Sequence, residues 1–189
     1  MTNLPLTLCR YKLILVTAII QKENPILRQI AKEVPIKEIR SEEIQKVLSL
    51  MQKSLRTQKD GVAIAAPQIG VSLRIFIVSG KVFDMEDGKL DEEKTQISPD
   101  LVCINPVLGK LSREKHEVEE GCLSVRYLYG KIIRSKKATV TAYNEKGEKF
   151  TRGASGLLSQ IFQHETDHLN GVLFIDKAKD LVDLPPEKR

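Results

Sequence analysis

His164-Glu165-Thr166-Asp167-His168 is the segment whose residue types and spacing point most directly to chemistry. On a helix, imidazoles at i and i+4 stand one above the other on one face, so both reach a single metal ion. Glu165 between them can hold a water beside that metal and accept its proton, the mechanical logic of the HExxH pattern. The competing reading is a solvated helix end that happens to carry two histidines. His116, His164 and His168 are the only imidazoles in 189 residues, so chance placement of two around a glutamate is a poor explanation. Leu157 and Ile161 lie seven and three positions before His164, which puts the imidazoles at the end of an apolar stripe.

A catalytic tetrahedral site takes three protein ligands and keeps one position open, so two histidines need a third donor. No histidine follows His168; a glutamate further along a following helix is one option, and the upstream candidates are His116 and the three thiols, Cys9, Cys103 and Cys122. Cys122 sits in Glu119-Glu120-Gly121-Cys122-Leu123-Ser124, after a glycine at an expected strand edge. A metal would ionise such a thiol outright. A lone cysteine is also commonly a small buried apolar residue, and the pattern alone leaves both readings open. Cys9, near a terminus, and Cys103, inside a strand pattern, read as structural.

A third segment, Gly61-Val-Ala-Ile-Ala-Ala-Pro-Gln68-Ile-Gly70, is small, apolar and bounded by glycine, so backbone or ligand can approach it closely. It is not a phosphate loop, because no Gly-Lys-Ser/Thr follows. Gln68 within it is either exposed on a tight turn or an amide donor aimed at a polarised carbonyl oxygen.

The elements that must position these residues follow from periodicity. Ser41 to Gln58 reads as an amphipathic helix, with Ser41 as its cap, Glu42 and Glu43 in the first turn, and Ile44, Val47, Leu48, Met51 and Leu55 as its stripe. Leu73–Val78, Leu101–Ile104, residues near 131–134, Ala138–Tyr143 and Lys149–Arg152 read as strands, the last two joined by a turn at Asn144–Gly147. Lys81 to Pro99 reads as a polar surface loop or hairpin excursion. A second helix over Ser155 to Leu169 carries the His-Glu segment and stops at Asn170-Gly171. Few helices, not alternating with strands, predict an α+β fold with mainly antiparallel sheets packed around the HExxH helix, in one domain over residues 1–189.

Composition limits the alternatives. A net charge of +5 from dispersed residues argues against sequence-specific nucleic acid as a partner. Three widely spaced cysteines without a Cys-x-x-Cys pair argue against a disulfide scaffold and for a cytoplasmic location. The apolar run at residues 13–20 is too short to span a membrane and lacks a small-residue cleavage site, so it reads as a buried strand or chain-entry segment.

Together the three segments resemble the peptide deformylases. That family carries a Gly-rich stretch ending in Ala-Ala-x-Gln, then Glu-Gly-Cys-Leu-Ser, then Gln-His-Glu-x-Asp-His-Leu-x-Gly, and these stand here at Gly61–Gln68, Glu120–Ser124 and Gln163–Gly171. The resemblance implies Cys122, His164 and His168 as ligands of one divalent metal, Fe²⁺ first, with Zn²⁺, Ni²⁺ or Co²⁺ able to replace it. It implies Glu165 as the general base and then acid, and Gln68 with the Leu123 N–H as oxyanion donors. It also implies an N-formyl-methionyl peptide as substrate, paired along Gly61, Val62, Ala63 and Ile64, with Ile161 and Leu157 walling its methionine pocket. A Glu120–Arg134 ion pair is expected to orient the cysteine strand. The reaction implied is removal of the N-formyl group from the initiator methionine of nascent polypeptides, with release of formate.

The chain departs from the pattern at Ala63, where the family has a second glycine, and at Arg126 and Tyr129, where many relatives have proline and arginine. If position 63 needs positive φ or close backbone contact, Ala63 would narrow the groove. Those departures motivate an alternative, a deformylase-like module that binds metal or peptide without turnover. HExxH alone also allows a zinc endopeptidase, against which the Cys122 context speaks. The residues after Ile175 are mixed in charge, unlike the basic C-terminal helix some relatives use on the ribosome, so any ribosome contact is expected to be weak and transient.

Overall fold

The computed structural model describes residues 18–86 and 98–185. Helix α1 (Glu42–Arg56) is capped by Ser41, whose side chain accepts from the Ile44 N–H, and buries Ile44, Val47, Leu48, Met51 and Leu55 as its periodicity requires. Strands β1 (Ala63–Ala65), β2 (Ile75–Val78), β3 (Leu101–Gly109), β6 (Lys137–Tyr143) and β7 (Lys149–Ser155) form one antiparallel sheet in the order β1-β2-β3-β6-β7. Strands β4 (Lys115–Cys122), β5 (Val125–Ser135) and β8 (Lys179–Asp183) form a second, in the order β4-β5-β8. Helix α3 (Gly156–Leu169) packs against strands of both, burying Leu158, Ile161, Phe162 and Leu169 with Phe76, Val140 and Ala142. The fold is α+β with antiparallel sheets around the helix that bears His164 and His168.

Several elements differ from the sequence reading. The start of the expected excursion at 81–99 is a short helix, α2 (Lys81–Glu86), because Val82 inserts fully into the core and the Phe83 and Asp84 N–H groups donate back to Gly80. Residues 87–97 lie outside the described residues, as do 1–17 and with them most of the 13–20 run. Strand β3 continues past Ile104 through Pro106 by way of an irregularity at Asn105, whose φ is +50°. There the Asn105 side chain both donates to the Val34 carbonyl and accepts from its N–H, standing in for a missing strand partner. Strand β5 begins six residues before the expected Lys131, and β8, wholly exposed, carried no pattern that marked it.

Ala63 sits in extended β1 opposite Val78 and is not among the described residues with positive φ. A side chain is therefore accommodated there without backbone strain. Among the described residues, strand β1 is the last strand of its sheet and pairs only with β2.

Candidate metal centre

Helix α3 is fixed in rotation by more than its apolar stripe. Gln163, buried, lays its carboxamide on Ser135 at the end of β5: Oε1 accepts from the Ser135 N–H and Nε2 donates to the Ser135 carbonyl, both at 2.9 Å. The helix ends at Asn170, and Gly171 follows at φ +73°, where a Cβ would lie 2.6 Å from the Arg28 carbonyl oxygen. Only glycine meets both conditions. His164 and His168 thereby face the turn of the β4–β5 hairpin.

That hairpin delivers the thiol. Cys122 closes β4, and two turn residues, Leu123 and Ser124, lead into β5. Gly121 precedes it under the Tyr129 ring, which a Cβ would strike at 2.6 Å. The hairpin is tied to α3 by buried charge. Arg134 donates to both carboxylate oxygens of Glu120, at 2.7 and 2.9 Å, and to Asp167 at 2.7 Å. Glu120 accepts in turn from His164 Nδ1 at 2.8 Å. Burial alone would raise the Glu120 pKa, but the His164 and Arg134 hydrogen bonds outweigh it and hold it at about 2. Glu120 is thus a fixed anion that commits His164 Nδ1 and turns Nε2 outward as a donor.

Donor atoms of Cys122, His164 and His168 all lie within 4.8 Å of one another, with Cys122 Sγ 3.2 Å from His168 Nε2. Burial lowers the His168 pKa well below its ordinary value, keeping the ring in the neutral form that metals bind. The sulfur also receives the Ser124 N–H at 3.4 Å and Gln68 Nε2 at 3.6 Å. A soft sulfur, two imidazole nitrogens and an adjoining buried carboxylate form a donor set short of positive charge, and one divalent ion fits it. It is the one such cluster found among the described residues. Cys103 is buried and free, and His116 lies half-buried on β4, away from the group.

Glu165 stands beside this group, 4 % exposed. Burial pushes its pKa up to about 7; His164 opposes the shift and Glu120 adds to it. Its Oε2 is buried without a hydrogen-bond partner, and Glu165 lines a cavity of about 260 Å³ that opens beside Cys122 and His164. That cavity is lined by Asp60, Gly61, Val62 and Ala63, by Arg126 to Tyr129 of β5, and by Leu157 and Ile161 of α3. Gln68 and Leu123 also line it. The Ile64 side chain, fully buried, turns instead into the core with α1. Gln68 is buried rather than exposed: Oε1 accepts from the Ala65 N–H at 2.8 Å, which aims Nε2 at Cys122 Sγ and at Ser124 Oγ, 3.2 Å away.

Gln163 and Asp167 are the positioning residues that the sequence reading passed over. Both lie inside the matched helix motif, and their own polarity on a helix with a buried face was the available signal.

Comparison with known proteins agrees with this geometry. The family profile described as polypeptide deformylase matches residues 16–183. A peptide deformylase of Carboxydothermus hydrogenoformans is 41% identical over 164 residues, covering 87% of this chain and 94% of that protein. Among solved structures, a Met-Ala-Ser-bound class I type b peptide deformylase from Acinetobacter baumannii superposes with a TM-score of 0.73 at 30% identity, covering 87% of this chain and 99% of that one. A peptide deformylase from Synechococcus elongatus in complex with actinonin gives 0.72 at 31%, covering 86% and 80%.

Proposed function

The chain belongs to the polypeptide deformylase family, and from that premise we propose that it hydrolyses the N-formyl group from the amino-terminal methionine of nascent polypeptides, releasing formate. The observation that carries the reading is the convergence of Cys122, His164 and His168 beside the unpartnered Glu165 carboxylate at the floor of an open cavity. An intact donor set with its base in place favours a working enzyme over a module that only binds.

Cys122 Sγ and the two imidazoles would hold the ion. When bound, it supplies Lewis acidity to a water and to the formyl oxygen. Glu165 Oε2 takes a proton from the attacking water and returns one to the departing amine, so that water adds across the C–N bond and the products are formate and a free amino terminus. Gln68 Nε2 and the Leu123 N–H donate to the formyl oxygen as it gains negative charge. The rigid hold of Ala65 on Gln68 Oε1 supports this role, because the donor is oriented before substrate arrives. Gly61, Val62 and Ala63 line the cavity where β1 begins, at the edge of its sheet among the described residues, where an extended peptide can add as a strand with the backbone of Ile64 continuing the track. Ile161 and Leu157 would receive the methionine side chain.

We take Fe²⁺ as the resident ion, with Zn²⁺, Ni²⁺ and Co²⁺ as replacements, and residues 1–189 as one catalytic domain acting in the cytoplasm. No described helix is long and apolar enough to cross a membrane. The test is formate release from formyl-Met-Ala-Ser by anaerobically purified protein with its metal measured. The expected result is one ion per chain and formate equal to new amino termini. Peptide binding without formate under any of the four metals would establish the binding-module alternative instead.

A further inference from the structure

Residues 19–21 run beside the hairpin turn and are joined to both segments that flank the Cys122 sulfur. The Ile20 N–H donates to the Gln68 carbonyl at 3.0 Å. Gln21, next along, turns its carboxamide onto the turn: Nε2 donates to the Leu123 carbonyl at 3.1 Å, and Oε1 accepts from the Arg126 N–H at 3.3 Å. The same Nε2 lies 3.2 Å from the Ile19 carbonyl, which holds the amide plane. A carboxamide offers one donor edge and one acceptor edge, as a peptide group does. Gln21 therefore acts as a one-residue strand laid along the outside of the turn.

The side chain after the turn is anchored as well. Arg126 donates to Asp60 Oδ2 at 2.7 Å and to Gln58 Oε1 at 2.5 Å, both in the segment that follows α1. Those contacts hold the Arg126 side chain, whereas Gln21 holds the turn's own peptide groups. The peptide unit that bears the Leu123 N–H meets the next unit, which carries the Leu123 carbonyl, at the Leu123 Cα. With the Leu123 carbonyl and the Arg126 N–H both engaged by Gln21, the chain on the carboxyl side of that Cα is held, which restricts how the Leu123 N–H can swing. Donors to a developing oxyanion are useful in proportion to how rigidly they are held before reaction.

We propose that Gln21 is a positioning residue for catalysis, which keeps the Leu123 N–H directed at the formyl oxygen by clamping the outer face of the Leu123–Arg126 turn. This rests on the deformylase reading above. The inference predicts a loss in kcat with little change in KM, because an oxyanion donor matters chiefly once charge has developed.

Turnover of formyl-Met-Ala-Ser per bound metal tests it in wild type, Gln21→Ala and Gln21→Glu, together with hydrogen exchange of the Arg126 amide. In Gln21→Ala, kcat should fall about tenfold with KM within about twofold, metal content unchanged and Arg126 exchange accelerated. Glutamate still accepts from the Arg126 N–H but presents oxygen, not a donor, to the Leu123 carbonyl. Gln21→Glu should therefore keep Arg126 protected and lose kcat nearly as alanine does, and being almost isosteric it folds even if alanine does not. A kcat within twofold of wild type in both variants, or a change confined to KM, overturns the inference. Inactive wild type would instead overturn the deformylase reading, so the two failures are distinguishable.

Discussion

Arg134→Leu is the substitution whose consequences the structure sets most tightly. The guanidinium is 5 % exposed and makes three charge-assisted hydrogen bonds of 2.7–2.9 Å, two to Glu120 and one to Asp167. Asp167 keeps a second partner in Lys177, 2.8 Å away. Glu120, 4 % exposed, is left with His164 alone. Breaking a buried pair from one side costs about 3–5 kcal/mol, because an uncompensated charge stays behind. A carboxyl lowered from 4.5 to about 2 by His164 and Arg134 together is worth about 3 kcal/mol to the folded state, of which Arg134 carries a part. Because that pKa is depressed, the contribution is complete above pH 4.5 and fades as pH falls toward 2. With Arg134 gone the folded-state pKa rises and this contribution shrinks, while its onset near pH 4.5, set by the unfolded chain, stays where it is. Urea unfolding followed by circular dichroism in chelator, at pH 7 and pH 5, separates this from metal binding. The expected loss at pH 7 is about 3–5 kcal/mol, and Glu120→Gln/Arg134→Leu should recover much of it, since no buried anion remains. A loss under about 1 kcal/mol, or strictly additive single changes, would refute the assignment of this pair as the link between hairpin and helix.

Three further outcomes follow from particular contacts. Gln163→Leu leaves the buried Ser135 N–H without its acceptor while Ser159 Oγ still donates to the Ser135 carbonyl, so the chelated protein should lose about 1–3 kcal/mol in the same unfolding assay. Gly171→Ala forces φ +73° on alanine and sets a Cβ 2.6 Å from the Arg28 carbonyl oxygen; the strain alone costs about 1–3 kcal/mol, read as a lowered Tm. Alkylation mapped by mass spectrometry should modify Cys122 after chelation but not with metal bound, and should spare Cys103 in both states, because burial pushes that thiol far above its ordinary pKa. Equal modification of Cys122 with and without metal would remove it from the ligand set.

The two longer helices were legible because a 3.6-residue period runs along both, with a serine cap before 42–56 and an Asn-Gly stop after 156–169. The histidine pair and Glu165 were legible for the same reason, being local to one helix. Strand β4 was not, since Lys115-His-Glu-Val-Glu-Glu120 is mostly charged and takes its pairing from β5 rather than from its own propensity. Strand β3 was cut short at Pro106, which the Asn105 side chain makes tolerable in a way no composition rule states. Cys122 was the hardest: 42 residues separate it from His164, and what brings the hairpin turn to the helix is tertiary, the Glu120–Arg134–Asp167 network together with the Glu120–His164 and Gln163–Ser135 contacts. Resemblance named it as a ligand before geometry did.

The central claim is that Glu165 moves the protons while Cys122, His164 and His168 hold the ion. Glu165→Gln, nearly isosteric and outside the donor set, tests it through metal content and formate release measured on the same sample. The account predicts one metal per chain, as in wild type, with kcat on formyl-Met-Ala-Ser lowered by at least about a hundredfold. Formate release within about tenfold of wild type with the metal retained would contradict it.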